Sequence, residues 1–179
     1  MAVSPARIIV VMGVASSGKT VTAKAIARRL HAPVFDGDDF HPPANKEKMR
    51  AGTPLTDEDR WPWLASLAHA LRDGAAQKGV AVGACSALRR AYRDYLIEEA
   101  GEPILFVFLK GTAEVIGARI AARQHEFMPA SLLTSQFATL EVPAADENVL
   151  TVPVTLPVET IAERVVKAVP DLKSFRRKQ

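Results

Sequence analysis

The chain has 179 residues, 48% hydrophobic and 24% charged, with 23 Lys and Arg against 20 Asp and Glu, enough to bury one core and too little for two independent ones. Cys85 is its only cysteine, which excludes an intrachain disulfide and a Cys-rich zinc site and points to a reducing compartment. The longest apolar runs, Ile8–Ala15 and Ile104–Leu109, fall far short of the roughly 18 residues of a membrane span, and no signal-peptide pattern opens the chain, so a cytoplasmic protein without membrane contact is expected.

Arg7–Met12 reads as a buried, β-branched strand, and Gly18–Leu30 has helical spacing through Val21, Ala25, Ala27 and Leu30. Between them, Gly13-Val14-Ala15-Ser16-Ser17-Gly18-Lys19-Thr20 fits G-x-x-x-x-G-K-[ST]. The two glycines let the backbone turn its N–H groups toward phosphate oxygens, Lys19 reaches the β/γ-phosphates, and Thr20 offers a hydroxyl to Mg²⁺. The strand before and the helix after are the context this mechanism requires, whereas a structural Gly/Ser turn would need neither.

Pro33–Phe35 is expected as a second strand, leading into the acid-rich segment 36–60, whose Pro42, Pro43, Gly52 and Pro54 leave room only for a short helix near Asn45–Arg50. Asp36-Gly37-Asp38-Asp39-Phe40-His41 lies just beyond that strand. In an open α/β sheet the carboxyl ends of strands face the ligand crevice, so these carboxylates should lie near the glycine loop. One could orient hydrated Mg²⁺ and another accept the hydroxyl proton of a phosphoryl acceptor; standing alone, the segment would read as a solvated turn. His41, before two prolines, either binds substrate or fixes the turn. Lys48 and Arg60 are cations within the acidic stretch. Arg60 is the better anion ligand, because it opens a predicted helix where the macrodipole disfavours a cation; a surface ion pair with Asp57 or Asp59 is the alternative.

That helix, Trp61–Ala76, has Pro62 in its first turn and Trp63, Leu64, Leu67 and Leu71 on one face. A third strand at Val80–Cys85, a helix at Ala87–Glu99, a fourth strand at Pro103–Leu109 and a helix at Thr112–Arg123 with Thr112 as N-cap follow. A helix at Ser131–Ala138, a fifth strand near Val149–Val152 and a final helix at Pro157–Val169 complete the pattern. Strands alternating with amphipathic helices imply an α/β fold: a five-stranded parallel sheet with helices on both faces. Arg119 and Arg123, four apart on one helix face ahead of a polar loop, suggest a lid over about residues 119–131 that closes on phosphates, although such a pair alone is usually a solvated face. Arg89 and Arg90 read as surface residues or partial substrate contacts. Lys173, Arg176, Arg177 and Lys178 against Asp171 hold the whole +3 charge, so residues 1–170 form a neutral single domain and 171–179 a basic tail. Such a tail is weak support for a nucleotide-dependent regulatory or nucleic-acid-binding protein, and no nucleic-acid partner is expected.

Together these pieces resemble the gluconate kinase family of small P-loop sugar-acid kinases. The resemblance rests on Met12-Gly13-Val14 through Gly18-Lys19-Thr20, Asp36-Gly37-Asp38 with His41-Pro42, Asn45 with Glu47-Lys48-Met49, Pro54-Leu55, Asp59-Arg60 and Pro62-Trp63-Leu64. It continues through Cys85-Ser86-Ala87-Leu88, Tyr92-Arg93-Asp94, Arg119 with Arg123, and Ser135-Gln136-Phe137 with Leu140-Glu141. It implies a nucleoside-kinase-like three-layer fold, ATP and Mg²⁺ as cofactors, phosphorylation of D-gluconate to 6-phosphogluconate, and a homodimer. It assigns residues 13–20 with Arg119 and Arg123 to the nucleotide, Lys19, Asp38, Arg119 and Arg123 to catalysis, and Thr20 and Asp36 to the metal. Asp38, His41, Lys48, Arg60 and Arg93 would then line the sugar-acid side. Two departures stand out: Ala15 and Ser16 occupy family Ser and Gly positions in the loop, and Arg89 replaces a lysine. A kinase resembling shikimate kinase would use the same phosphate parts with another acceptor pocket.

Overall fold

A computed structural model describes residues 6–123 and 130–169. Five strands form one all-parallel sheet: β1 (Ile8–Met12), β2 (Val34–Asp36), β3 (Ala81–Ala84), β4 (Ile104–Lys110) and β5 (Val149–Pro153), in the order β2-β3-β1-β4-β5. Seven α-helices among the described residues connect and cover them: α1 (Lys19–Leu30), α2 (Pro43–Arg50), α3 (Asp57–Lys78), α4 (Arg90–Ala100), α5 (Ala113–Ala122), α6 (Ala130–Thr139) and α7 (Val158–Ala168). None is long and apolar enough to cross a membrane. The expected five-stranded parallel sheet with helices on both faces is thus present.

Every residue of β1 is buried, and their alternation divides the core. Ile9 and Val11 join Ile26 of α1 and Val165 of α7 on one face, while Ile8, Val10 and Met12 meet Leu64, Leu67 and Leu71 of α3 and Leu96 of α4 on the other. β1 pairs with β3 on one side and β4 on the other, so the order reverses direction at β1, and the loop leaving its carboxyl end opens at that switch point.

Three local departures from the sequence expectations have physical causes. The third helix starts at Asp57 because Thr56 and Asp59 form a reciprocal capping box, which sets Asp57, Glu58 and Asp59 in the first turn. Arg60 and Pro62 therefore lie inside the helix rather than at its start. The fourth helix begins only at Arg90, because Ala87 takes φ 44° and Arg89 is extended. After β2, residues Gly37–Phe40 wind into a 3₁₀ turn; a Cβ on Gly37 would sit 2.8 Å from the Ala84 carbonyl, so only glycine lets the segment pass this close to β3.

Candidate active site

The glycine loop runs from the end of β1 into the first turn of α1. Gly13 has φ 149°, and a Cβ there would lie 2.9 Å from Ser17 Oγ and 3.2 Å from the Leu109 carbonyl. Gly18, at φ 93°, caps α1 without a side chain, and no acid lies in that first turn, so the helix amides point outward with no protein anion against them. Lys19 Nζ donates to the Val14 carbonyl at 3.0 Å, and burial pulls its pKa down against the nearby Cys85, Asp38 and Asp36, which act to raise it. Ser17 Oγ is buried without a partner among the described residues. The helix N-terminus at Gly18 and the Lys19 ammonium fit a bound polyphosphate, while Ser17 Oγ turns in toward Gly13.

Lys19, Thr20, Asp36, Asp38, Arg123 and Gln136 line one cavity of about 450 Å³ with the loop. A second cavity, about 500 Å³, sits around Ile104 at the opposite end of β4; its lining acids Asp94, Glu98, Glu102 and Asp146 would repel an anion. In the first cavity Asp36, at the end of β2, does two things. Its Oδ2 accepts from Thr20 Oγ1 at 2.7 Å, and its Oδ1 accepts from the Asp38 amide at 3.0 Å. Among the described residues no group of three or more His, Cys, Asp and Glu could hold a metal by itself. A magnesium ion here would lean on Thr20, Asp36 and substrate phosphates, the usual economy of Mg²⁺ sites.

His41 stacks on Trp63 at 4.1 Å between ring centroids and 17° between planes, and Trp63 Nε1 donates to the Gly37 carbonyl at 2.7 Å. Burial lowers the His41 pKa, with Asp38 opposing, so the ring is neutral at pH 7. Asn45 Nδ2 lies 3.4 Å from His41 Nδ1 and donates to the Asp59 carbonyl at 2.9 Å. The histidine thus fixes the turn through Trp63, and its charge is coupled to Asp38, Lys46 and Arg60. Lys48 Nζ bonds Asp59 Oδ2 at 2.7 Å and holds that carboxylate down at a pKa of about 2.

A second cluster forms beside it. The Asp57 carboxylate accepts from the Tyr92 hydroxyl at 2.6 Å and from Arg60 at 3.2 Å, with Arg89 Nη1 at 3.7 Å. Tyr92 keeps the Asp57 pKa low, helped by Arg89 and Arg60. Both guanidinium groups lie over the Tyr92 ring, Arg60 at 5.4 Å and Arg89 at 5.9 Å from its centroid. Two cations share one acid here, leaving a net positive face of planar donors.

Arg93 departs from its expected place on the sugar-acid side. It is 1% exposed, and its Nε and Nη2 grip Glu147 at 2.6 and 3.0 Å while its remaining donors go to the carbonyls of Ala87, Leu88 and Glu141. All five N–H bonds of the guanidinium are spent inside the protein, so it is a structural strut with none left for a ligand. The arginine pair reaches the loop from the end of α5. Arg119 donates to the Val154 carbonyl after β5, with its other terminal nitrogen beside Gly18. Arg123, the residue that ends α5, lines the cavity to which Gly18 also belongs. Residues 124–129 of the expected lid, and the basic tail, lie outside the described residues.

Sequence reasoning assigned no role to Gln136, whose Oε1 accepts from the Ala15 amide at 2.9 Å. A lone glutamine on an amphipathic helix gives no signal of such a contact. Cys85 is buried, with burial pushing its thiol up to about 12, far from any thiolate chemistry.

Residues 8–143 match a protein family described as an AAA domain. A gluconokinase of Gluconobacter oxydans is 49% identical over 146 residues, 82% of each chain. The thermoresistant gluconokinase of Escherichia coli is 41% identical over 163 residues, covering 90% of this chain and 93% of that protein. Among solved structures, a gluconokinase from Sinorhizobium meliloti superposes with a TM-score of 0.80 at 41% identity, covering 96% of this chain and 97% of its own.

Proposed function

The chain belongs to the gluconokinase family of P-loop kinases, and we propose that it transfers the γ-phosphoryl group of ATP to the 6-hydroxyl of D-gluconate, giving 6-phospho-D-gluconate and ADP. The observation that carries this reading is the shared cavity, in which the phosphate-binding residues Lys19 and Thr20 open onto Asp38; His41, whose charge couples to both Asp38 and Arg60, links that cavity to the arginine-rich face of α3 and α4. A polyol acid needs those two ends: a proton acceptor at its primary hydroxyl and cations at its carboxylate.

In this reading the loop amides and Lys19 hold the β- and γ-phosphates, and Arg119 and Arg123 approach the nucleotide from α5 and its end. Mg²⁺, when bound beside Thr20 and Asp36, neutralises charge on the phosphate oxygens. Asp38 accepts the proton of the 6-hydroxyl as its oxygen forms a bond to the γ-phosphorus and the bond to the β-phosphate oxygen breaks, releasing ADP. Asp36 holds the Asp38 amide and so sets where that base sits. His41, on its Trp63 platform, lines the middle of the acceptor and Lys48 its outer wall. The carboxylate end is met by Arg60 together with Arg89, which stands in for the buried Arg93. An arginine there keeps the charge of the family's lysine and adds a planar fork suited to a carboxylate.

The test is ADP release in a coupled assay across D-gluconate, other sugar acids and shikimate. Gluconate-dependent turnover is expected; turnover with another acceptor and none with gluconate would replace this reading with that of a different small-molecule kinase. Homodimer assembly in the cytoplasm goes with the same reading, and light scattering checks the dimer.

A further inference from the structure

A side chain of α6 reaches across to the glycine loop. The Ala15 amide donates to Gln136 Oε1 at 2.9 Å in the wall of the cavity that holds Lys19 and Asp38. Within the loop, Ser17 N donates to the Val14 carbonyl at 3.3 Å and Lys19 Nζ to the same carbonyl at 3.0 Å, while Gly13 N donates at 3.3 Å to the Ser86 carbonyl beyond β3. The carboxamide comes in from a different element and takes one backbone amide of the glycine loop.

The helix that presents it is anchored. Leu133 and Phe137 pack on the core layer of α1 and α7, and Leu140 touches both core layers. Just beyond, the Glu141 amide donates to the Leu88 carbonyl at 2.8 Å, and its carboxylate accepts from the Arg90 amide at 2.8 Å, at the start of α4. Gln136 is thus held at the loop by a docked helix and is itself only half-buried, so its side chain can swing away without unpacking the core.

A single backbone N–H makes one strong hydrogen bond. A phosphate oxygen and the Gln136 carbonyl therefore compete for Ala15. We infer that Gln136 is a nucleotide-affinity residue: its carboxamide is a built-in competitor of phosphate at the Ala15 amide, holding nucleotide binding weaker than the loop alone would make it. This inference rests on the kinase reading above. A charge-assisted bond to phosphate is about twice as strong as a neutral one, so nucleotide still wins the amide; the competition weakens binding without blocking it and speeds departure of ADP.

Calorimetric titration of the full chain with MgATP, and with inorganic tripolyphosphate as a probe lacking the nucleoside, tests this. Gln136→Met keeps the side-chain length and removes the acceptor; it should bind both probes more tightly, on the order of 3–10-fold, the range of one ordinary hydrogen bond. Gln136→Glu keeps the acceptor and adds a negative charge beside the phosphates; it should bind both at least ~10-fold more weakly, with the deficit shrinking as salt is raised. A strut without competition predicts the reverse for Gln136→Met, so unchanged or weaker ATP binding by that variant, with its melting temperature at the wild-type value, overturns the inference. Should Gln136→Met not fold, Gln136→Ala carries the same expectation of tighter binding, and the same reverse result overturns it. Failure of the wild-type chain to bind MgATP at all would instead remove the kinase reading, and this inference with it.

Discussion

The Thr20 hydroxyl donates to Asp36 Oδ2 at 2.7 Å, a bond across sixteen residues that ties the first turn of α1 to the end of β2. The other Asp36 oxygen holds the Asp38 amide. One carboxylate therefore sets the spacing between the phosphate loop and the proposed base, two parts that no stretch of local sequence could hold in register. Asp36 and Asp38, two residues apart and chemically alike, both line the cavity, and the first is engaged on both oxygens, which suits it to the fixed part in the proposed chemistry.

Asp38→Asn should lower kcat by about 10²–10⁴-fold, the usual contribution of a positioned general base, with the ATP dissociation constant little changed. Asp36→Asn should lower kcat and weaken MgATP binding together, because it disturbs both Thr20 and Asp38. Steady-state kinetics alongside equilibrium nucleotide binding separate the two. A kcat for Asp38→Asn near that of the wild type would take the base role from this residue.

Arg60 and Arg89 flank one tyrosine and lean on one aspartate, so the pair presents a fork with a single counter-charge. Arg60→Ala and Arg89→Ala should each raise the KM for gluconate by roughly 10–100-fold, the loss of about 1.5–3 kcal/mol for a hydrogen bond to a charged group, and leave the KM for ATP near its starting value. Arg89→Lys should keep most of the affinity, since charge is preserved and only fork geometry is lost. A defect in ATP affinity alone would move Arg89 out of the acceptor site.

The sheet, its helices and the glycine loop were legible because each is written in local periodicity: continuous apolar runs for strands, 3.6-residue spacing for helices, glycines at both ends of a phosphate loop. Legibility failed where a side chain's partner lies far along the chain. The resemblance sets Arg93 on the sugar-acid side, but Glu147, 54 residues away, and three carbonyls close around it. The bond of Arg119 to the Val154 carbonyl, 35 residues on, is equally invisible in local spacing. The start of α3 was missed for a local reason: Thr56 and Asp59 form a capping box in which aspartate stands for the more familiar glutamate or glutamine.

Arg93 yields a prediction about stability rather than substrate. It is a buried cation with every donor satisfied, and burial of Glu147 would raise that carboxyl's pKa but for the Arg93 bond, which with the Ala144 amide holds it low. Arg93→Met strands that carboxylate and three carbonyls, and should cost about 3–5 kcal/mol in urea unfolding. Adding Glu147→Leu should recover only part of the loss, because the carbonyls of Ala87, Leu88 and Glu141 stay without their donor. Below its melting transition the single variant should keep the gluconate KM of the parent; a KM rise as large as that expected for Arg60→Ala would return Arg93 to the acceptor site.

The Lys48 and Asp59 pair makes a pH prediction with a defined sign. Lys48 and the Thr56 amide hold the folded Asp59 pKa at about 2, below its ordinary value of 3.8, so the folded state favours the ionised form. That contribution is fully present above pH 3.8 and is lost as pH falls through about 2, below which both folded and unfolded chains carry the protonated acid. Lys48→Met removes the largest cause of the shift. The wild-type chain should therefore be the more stable at pH 5 to 7, and the gap in urea midpoint between the two should close as pH falls through 3.8 toward 2. A gap that stays constant across that window would mean that Lys48 stabilises the turn through packing of its methylene stem, independent of the Asp59 charge. In the proposed function the same ammonium belongs to the acceptor site, so the KM for gluconate measured on Lys48→Met at pH 7 should rise as well, less than for Arg60→Ala, since one of its N–H bonds is already committed to Asp59.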